Sequence, residues 1–252
     1  MRINKLTVGA YATRAEMGAE AARKVTEKIH SLLRQQPGVN IIFAAAPSQN
    51  EFLEALRQSS IEWGRIRAFH MDEYIGLSSD AVQGFGNFLR ERLFDRLPFL
   101  AVHYIDGDAV DQKKECLRYA SLLEKYPPDI VCMGIGENGH IAFNDPPVAD
   151  FSDPYLVKVV ELDPACRQQQ VNDGCFPGLW SVPTHAITLT IPMLMSARYI
   201  YCIVPGRSKA QAVFNTLHME ITEAYPASIL RNHAHAELFL DTSSAERVDL
   251  LK

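Results

Sequence analysis

The feature that most constrains this chain is a recurring unit: a short apolar run, a polar turn, then a stretch of helical periodicity. Val39-Asn40-Ile41-Ile42-Phe43-Ala44-Ala45 is an apolar run, followed by Pro47-Ser48-Gln49-Asn50 and a helical stretch to about Arg57. Ile66 to Met71 ends on charge at Asp72-Glu73 and precedes helical segments at Phe85–Phe94 and Val110–Leu123. Asp129 to Met133 runs into Gly134, and Tyr199 to Val204 runs into Pro205-Gly206 and a helix at Ser208–Leu217. Upstream, Thr13 and Glu16 have capping-box spacing, and Met17, Ala21, Val25, Ile29 and Leu32 recur with helical period to Leu33. Tyr155–Val160, Ala186–Thr190 and Ala236–Leu240 also read as strands. Strands alternating with helices predict an α/β fold with a mostly parallel sheet. With no repeat, long linker or charge block, one domain over residues 1–252 is expected, with loops at Val148–Asp153 and Gly174–Pro183.

Composition narrows the function classes. Hydrophobic residues make up 47% of 252, enough for a large core, and the formal net charge is -5. That charge argues against a general nucleic-acid binder, which needs a basic excess to neutralise phosphates. No apolar run reaches the ~20 residues of a membrane helix, and the first residues show no secretory pattern. The five cysteines, Cys116, Cys132, Cys166, Cys175 and Cys202, form no CxxC pair. An odd, scattered set suits a reducing compartment, so a cytoplasmic protein is expected.

In open α/β sheets, ligands bind beyond the carboxyl ends of strands. Three polar clusters fall there: Ala46–Asn50, His70–Tyr74 and Gly134–Asp145. Gly134-Ile135-Gly136-Glu137-Asn138-Gly139 matches GxGxxG, but Pro146-Pro147 follow too soon for the helix that a dinucleotide site requires. The segment reads instead as a tight loop in which Gly136 and Gly139 expose backbone N–H groups and position His140; a plain turn is the alternative. His140 suits proton shuttling, Asp145 and Asn138 could orient it, and Asn144 could bond a hydroxyl. Asp72 and Glu73 are adjacent in a strand and must face opposite ways, so one enters a site while the other pairs with a helix or loop. Asp72 is the candidate base, against a solvated turn. Val204-Pro205-Gly206-Arg207-Ser208-Lys209 joins a strand to a helix and makes an anion site, with Lys209 first, Arg207 behind it and Ser48 at an equivalent turn, against a solvated helix start. Metal signals are weak: His233-x-His235 and His70-x-Asp72 lack a third ligand nearby, and HExxH is absent.

Met71-Asp72-Glu73-Tyr74-Ile75-Gly76-Leu77, Gly136-Glu137-Asn138-Gly139-His140-Ile141-Ala142-Phe143-Asn144-Asp145-Pro146, Val182-Pro183-Thr184-His185-Ala186-Ile187-Thr188-Leu189 and Gly206-Arg207-Ser208-Lys209-Ala210 resemble, in order and spacing, the glucosamine-6-phosphate deaminase (isomerase) family and its relative 6-phosphogluconolactonase. His-x-Ala-Phe-Asn and Met-Asp-Glu-Tyr resemble the deaminase branch. The resemblance implies a Rossmann-like three-layer sandwich acting on a phosphorylated amino sugar, most simply glucosamine 6-phosphate, by proton relay without a cofactor. It implies Asp72 as the base between C2 and C1, His140 as the ring-opening group, Asp145 as its support, and Lys209 with groups near Ser48 as the phosphate pocket. The chain departs from the family pattern in carrying Asn138 for aspartate, Asp145 for glutamate, Ala46-Pro47-Ser48-Gln49 for a Gly-Gly-Thr-Pro loop, and Gln170 near a lid arginine, which leaves either a weaker phosphate site or Arg167 as the replacement. The galactosamine epimer, a lactonase and a non-catalytic sugar-phosphate sensor are the alternatives, and a homo-oligomer is left open.

Overall fold

The computed structural model describes residues 1–248. In chain order the elements are β1 (Arg2–Ile3), β2 (Leu6–Tyr11), α1 (Arg14–Leu33), β3 (Val39–Phe43), α2 (Asn50–Arg57), β4 (Ile66–His70), β5 (Asp72–Tyr74), α3 (Phe85–Arg92), β6 (Ala101–His103), α4 (Gln112–Lys125), β7 (Ile130–Met133), β8 (Val157–Glu161), α5 (Pro164–Asn172), β9 (His185–Leu189), α6 (Ile191–Met195), β10 (Tyr199–Val204), α7 (Ala210–His218) and β11 (Ala236–Asp241). Eight strands form one sheet in the order β1-β2-β11-β10-β7-β3-β4-β6, parallel throughout except for the β1–β2 hairpin. This is the mostly parallel α/β sheet expected from the alternating pattern.

The period of two along each strand sorts its side chains into two cores. In β3, Ile41 and Phe43 join the cluster under α1 and α2, while Ile42 faces the opposite layer. In β7, Ile130 and Cys132 point to the first cluster, Val131 and Met133 to the second. Because both faces are covered, the central strands are mostly apolar, β7 and β10 without a break, and that is why they are recognisable in sequence. Helix α1 begins as its capping residues dictate: the Thr13 hydroxyl accepts from the Glu16 N–H at 3.1 Å, and Glu16 Oε2 accepts from the Ala12 N–H at 3.1 Å. Among the described residues no helix is long and apolar enough to cross a membrane.

Two sequence expectations need correction. Tyr155–Val160 and Ala186–Thr190 do not extend the parallel sheet. With β5 they make a separate antiparallel sheet, β5-β9-β8, in which Asp72 lies opposite Thr188 and Val159 opposite Ile187. Composition marks a strand but not its partner, because pairing is decided by contacts distant in sequence. Strands β1, β2 and β6 escaped the reading altogether, and β5 was read only as a continuation of Ile66–Met71. Strand β1 has two residues and β6 three, and β2 contains Gly9, which weakens a strand signal.

Candidate active site

The strand order reverses between β3 and β7. From β3 the chain proceeds outward through β4 to β6, whereas β7 is followed in the sheet by β10 and β11. At such a switch point the loops beyond the strand ends diverge and leave a crevice. A cavity of about 170 Å³ sits there, lined by Ala44–Gln49 after β3, Met71 and Asp72 after β4, Gly134–Gly136, His140, Ala142 and Phe143 after β7, and Pro205, Gly206, Ser208 and Lys209 after β10. Helix α5 closes one side with Gln169 and Gln170, with Asp173 just beyond it, and Arg14 enters from the start of α1.

Asp72 sits where the chain leaves the main sheet for the small one. The leaving point is pinned by His70, whose Nδ1 lies 2.8 Å from the Asp72 carbonyl oxygen and whose Nε2 accepts from the Ile105 N–H at 2.9 Å. Those two partners define a neutral imidazole with its proton on Nδ1, and burial pushes His70 down to about 4. The alternation of the strand then sends the Asp72 side chain into the cavity and Glu73 the other way. Glu73 accepts from the N–H groups of Tyr74, Phe85 and Gly86 at 2.8–3.0 Å, the last two opening α3. Burial, reinforced by the charge of Glu73, holds the Asp72 carboxyl well above the usual carboxylate range.

His140 is held from behind. Its Nδ1 lies 2.8 Å from Asn138 Oδ1 and 2.9 Å from Asp145 Oδ1. The Asn138 amide is oriented unambiguously: its Oδ1 also accepts the His140 N–H, while its Nδ2 donates to Asp145 at 2.8 Å. Both neighbours of Nδ1 are therefore acceptors and Nδ1 carries a proton, so that in the neutral ring Nε2 is the nitrogen left free. Burial works to raise the Asp145 carboxyl, but the bonds from His140 and Asn138 prevail and hold it below its ordinary value. Gly136 has no room for a side chain, because a Cβ there would lie 2.1 Å from the His140 ring. Ala142, also on the cavity wall, adopts φ +48°, a left-handed conformation costly for alanine.

The turn after β10 places Lys209 in the wall, 5% exposed, where burial lowers its ammonium pKa against the opposing charges of Asp173 and Glu137. Gly206 takes φ +96° and donates to Asp241 Oδ1 at 3.0 Å, which sets the turn. Ser48 lines the facing turn and accepts from Gln49 Nε2 at 3.1 Å.

Several residues singled out from sequence are not brought to the cavity. Arg207 is exposed and pairs with Glu246 at 3.0 Å, since the turn that buries Lys209 directs its neighbour outward. Asn144 is fully buried and ties the loop to β9, its Nδ2 donating to the carbonyls of Ile141 and Leu189. Gly139, at φ +90°, makes the tight turn but lies off the wall. The loop N–H groups are not free to bind an anion: Gly136 donates to the His140 carbonyl, Gly139 to that of Gly136, and Glu137 to Gln169 Oε1. No helix follows β7, so GxGxxG has no dinucleotide geometry here. Arg167 donates to the carbonyls of Leu179 and Val182 and does not replace a lid cation. His233 is spent on the Ala197 carbonyl. Sequence reasoning missed Arg14 and Gln169, and it marked Gln170 only as a departure from the family pattern, whereas Gln170 lines the cavity with Asp173 beside it. Had β2 been recognised, Arg14 would have stood at a strand-to-helix turn like those after β3 and β10.

The family model for glucosamine-6-phosphate isomerases and 6-phosphogluconolactonases matches residues 12–240. A glucosamine-6-phosphate deaminase of Exiguobacterium is 36% identical over 194 residues, 77% of this chain and 74% of that one. That of Bacillus cytotoxicus is 33% identical over 223 residues, 88% and 82% of the two chains. A solved monomeric glucosamine-6-phosphate deaminase superposes with a TM-score of 0.87 at 29% identity over 96% of this chain and 99% of that one. The 6-phosphogluconolactonase of Thermotoga maritima shares the fold, with a TM-score of 0.78 at 20% identity over 94% of this chain and all of that one. A match spanning residues 12–240, with a superposable fold, places the chain in the glucosamine-6-phosphate isomerase/6-phosphogluconolactonase family.

Proposed function

We propose that the protein is an aldose–ketose isomerase that deaminates a hexosamine 6-phosphate, glucosamine 6-phosphate in the first instance, to fructose 6-phosphate and ammonia. The observation that carries this reading is the convergence of a proton-avid carboxylate, an imidazole with a free Nε2 and a buried lysine on one crevice. Lys209 follows β10 and Asp72 follows β4, three strands apart in the sheet, so their backbones stand roughly 14 Å from one another at ~4.8 Å per strand. Less the two side chains, that gap suits a six-carbon sugar with its phosphate at Lys209 and C1 and C2 at Asp72. The hydroxyl of Ser48 and the turn at Gly206–Lys209 complete the phosphate end, and Arg14 adds a second cation.

In this reading His140 Nε2 accepts the proton of the anomeric hydroxyl and returns one to the ring oxygen, opening the pyranose. Asp72 then takes the C2 proton, giving an enolamine, and the proton is delivered to C1. Water adds to the resulting C2 imine and ammonia leaves, so one water is consumed for each ammonia released. Asn138 and Asp145 keep Nδ1 protonated throughout. Every step is a proton transfer or water addition within reach of these side chains. The five unpaired cysteines support a reducing, cytoplasmic setting.

The test is ammonia release from glucosamine 6-phosphate and its galacto epimer by purified enzyme, alongside hydrolysis of 6-phosphogluconolactone. Deamination with solvent hydrogen incorporated at C1 supports the proposal. Lactone hydrolysis without ammonia, or tight binding without exchange at C2, rejects it. A galactosamine 6-phosphate kcat/KM above that of the gluco epimer corrects the substrate and leaves the Asp72–His140 chemistry in place.

A further inference from the structure

Behind the crevice, three donors of different chemistry meet. His140 Nδ1, a carboxylate oxygen of Asp145 and Cys166 Sγ all lie within 4.8 Å of one another. His140 and Asp145 come from the loop after β7, and Cys166 from the first turn of α5. Asn138 Oδ1 stands 2.8 Å from the same imidazole nitrogen. Asp145 is 1% exposed, its Oδ1 takes the bonds from His140 and Asn138, and Oδ2 has no well-formed hydrogen bond, the Cys166 thiol being the further donor that supports the carboxylate. A thiol is a weak donor, so that side of the carboxylate is open to a stronger partner such as a cation. A tetrahedral zinc ion, with bonds of about 2.0–2.3 Å, sets donor separations of roughly 3.3–3.7 Å, so the 2.9 Å between His140 Nδ1 and Asp145 Oδ1 must open while donor pairs nearer the outer limit close. Thiolate, imidazole and carboxylate together select a borderline-soft divalent cation over magnesium or calcium.

We propose that His140, Asp145 and Cys166, with Asn138 or water as the fourth ligand, form an inhibitory site for a thiophilic divalent cation, Zn²⁺ foremost. A cysteine thiol with no neighbouring cation is protonated at neutral pH. Coordination displaces the thiol proton to solvent and forms the metal–sulfur bond, so one proton is released per cation. At His140 the metal takes Nδ1 and the ring proton moves to Nε2, leaving the imidazole neutral. The tautomer is thereby inverted: the nitrogen that serves as base now carries a proton. The cation blocks turnover from behind the crevice without occupying it. This effect on turnover rests on the role given to His140 above, whereas binding needs only the donors themselves.

Co²⁺ titration of the EDTA-treated, thiol-reduced full chain tests the site independently of any activity. The expected result is a near-ultraviolet thiolate-to-cobalt charge-transfer band in the wild type, with one proton released per cation, and no band in folded Cys166→Ala or Cys166→Ser. Competition by Zn²⁺ should remove the band in the wild type, with affinity falling at least about tenfold on loss of the sulfur. Absence of the band in the wild type, or its persistence in Cys166→Ala through another thiol, overturns the site. Zn²⁺ should lower kcat for the sugar phosphate with KM unchanged, reversibly with EDTA. Equal inhibition of wild type and Cys166→Ala overturns the inhibitory role, and a protein with the cobalt band but no deaminase activity retains the site while losing the proposed function.

Discussion

Asp72 and Glu73 are neighbours in sequence with opposite surroundings. One faces a crevice with few donors and the other is satisfied by three backbone N–H groups. Asp72 must be ionised to accept a proton, so its raised pKa places the acidic limb of activity above the usual carboxylate range. Glu73→Gln removes a charge that raises Asp72, and the acidic limb of kcat/KM should move to lower pH; an unmoved limb in the pH–rate profile would refute that coupling. Asp72→Asn should lower kcat by about 10²–10⁴, the usual worth of a general base, while calorimetric affinity for the sugar phosphate is retained. Lys209→Ala should act in the opposite sense. A charge-assisted contact of about 1.5–3 kcal/mol is roughly tenfold to over a hundredfold in affinity, lost for the phosphorylated sugar and not for the free sugar. Asp145 has the converse sign to Asp72. Its lowered pKa means that its ionised form stabilises the fold at neutral pH, a contribution that fades as pH falls from the ordinary carboxylate value through the lowered one.

The loop between β7 and β8 is the element that makes the site. It carries Gly136 under the His140 ring, Gly139 and Ala142 in left-handed conformations, and Asn144 fastened to β9. Its shape is thus set by the small sheet, since Phe143 also donates to Thr188 Oγ1 at 3.0 Å. Gly136→Ala should push the imidazole from its place and lower kcat strongly. The obstruction is a side chain that can swing away, so the melting temperature should change little. A large loss of Tm with an intact kcat per folded molecule would show that Gly136 serves the fold and not His140.

At the scale of the whole molecule, the crevice is walled by both sheets and by α1, α5 and the turn before α7, so a bound sugar phosphate joins elements that are otherwise linked mainly by the core. At a hundredfold excess over Kd, ligand binding to the folded state adds about 2.7 kcal/mol. For a chain of this size that is roughly 5–10 °C in Tm. Thermal melting should show this shift for wild type and Asp72→Asn, and a much smaller one for Lys209→Ala at the same ligand concentration. Equal shifts in all three would place the phosphate elsewhere.

Much of this arrangement was legible in the sequence, for a definite reason. The central strands are buried on both faces, so β7 and β10 are unbroken apolar runs and β3 and β4 are interrupted only by Asn40 and by Arg67 and His70, and the turns after them must be polar because they leave the core. Strand alternation alone separates Asp72 from Glu73. The Thr13 cap and the Gly206–Lys209 turn follow from local backbone chemistry. Local pattern does not contain pairing or direction. It could not tell that β5, β8 and β9 desert the main sheet, because a strand partner lies far along the chain. Nor could it tell that Arg207 turns to Glu246 while Arg14 reaches the crevice, or that Asn144 is a buried brace. The meeting of Cys166 with His140 and Asp145 has no spacing signature either, because it depends on where α5 packs. Residue type and period determine which segments form strands, helices and polar turns; only tertiary packing decides which polar groups face one another, since that is set by contacts among residues distant in sequence.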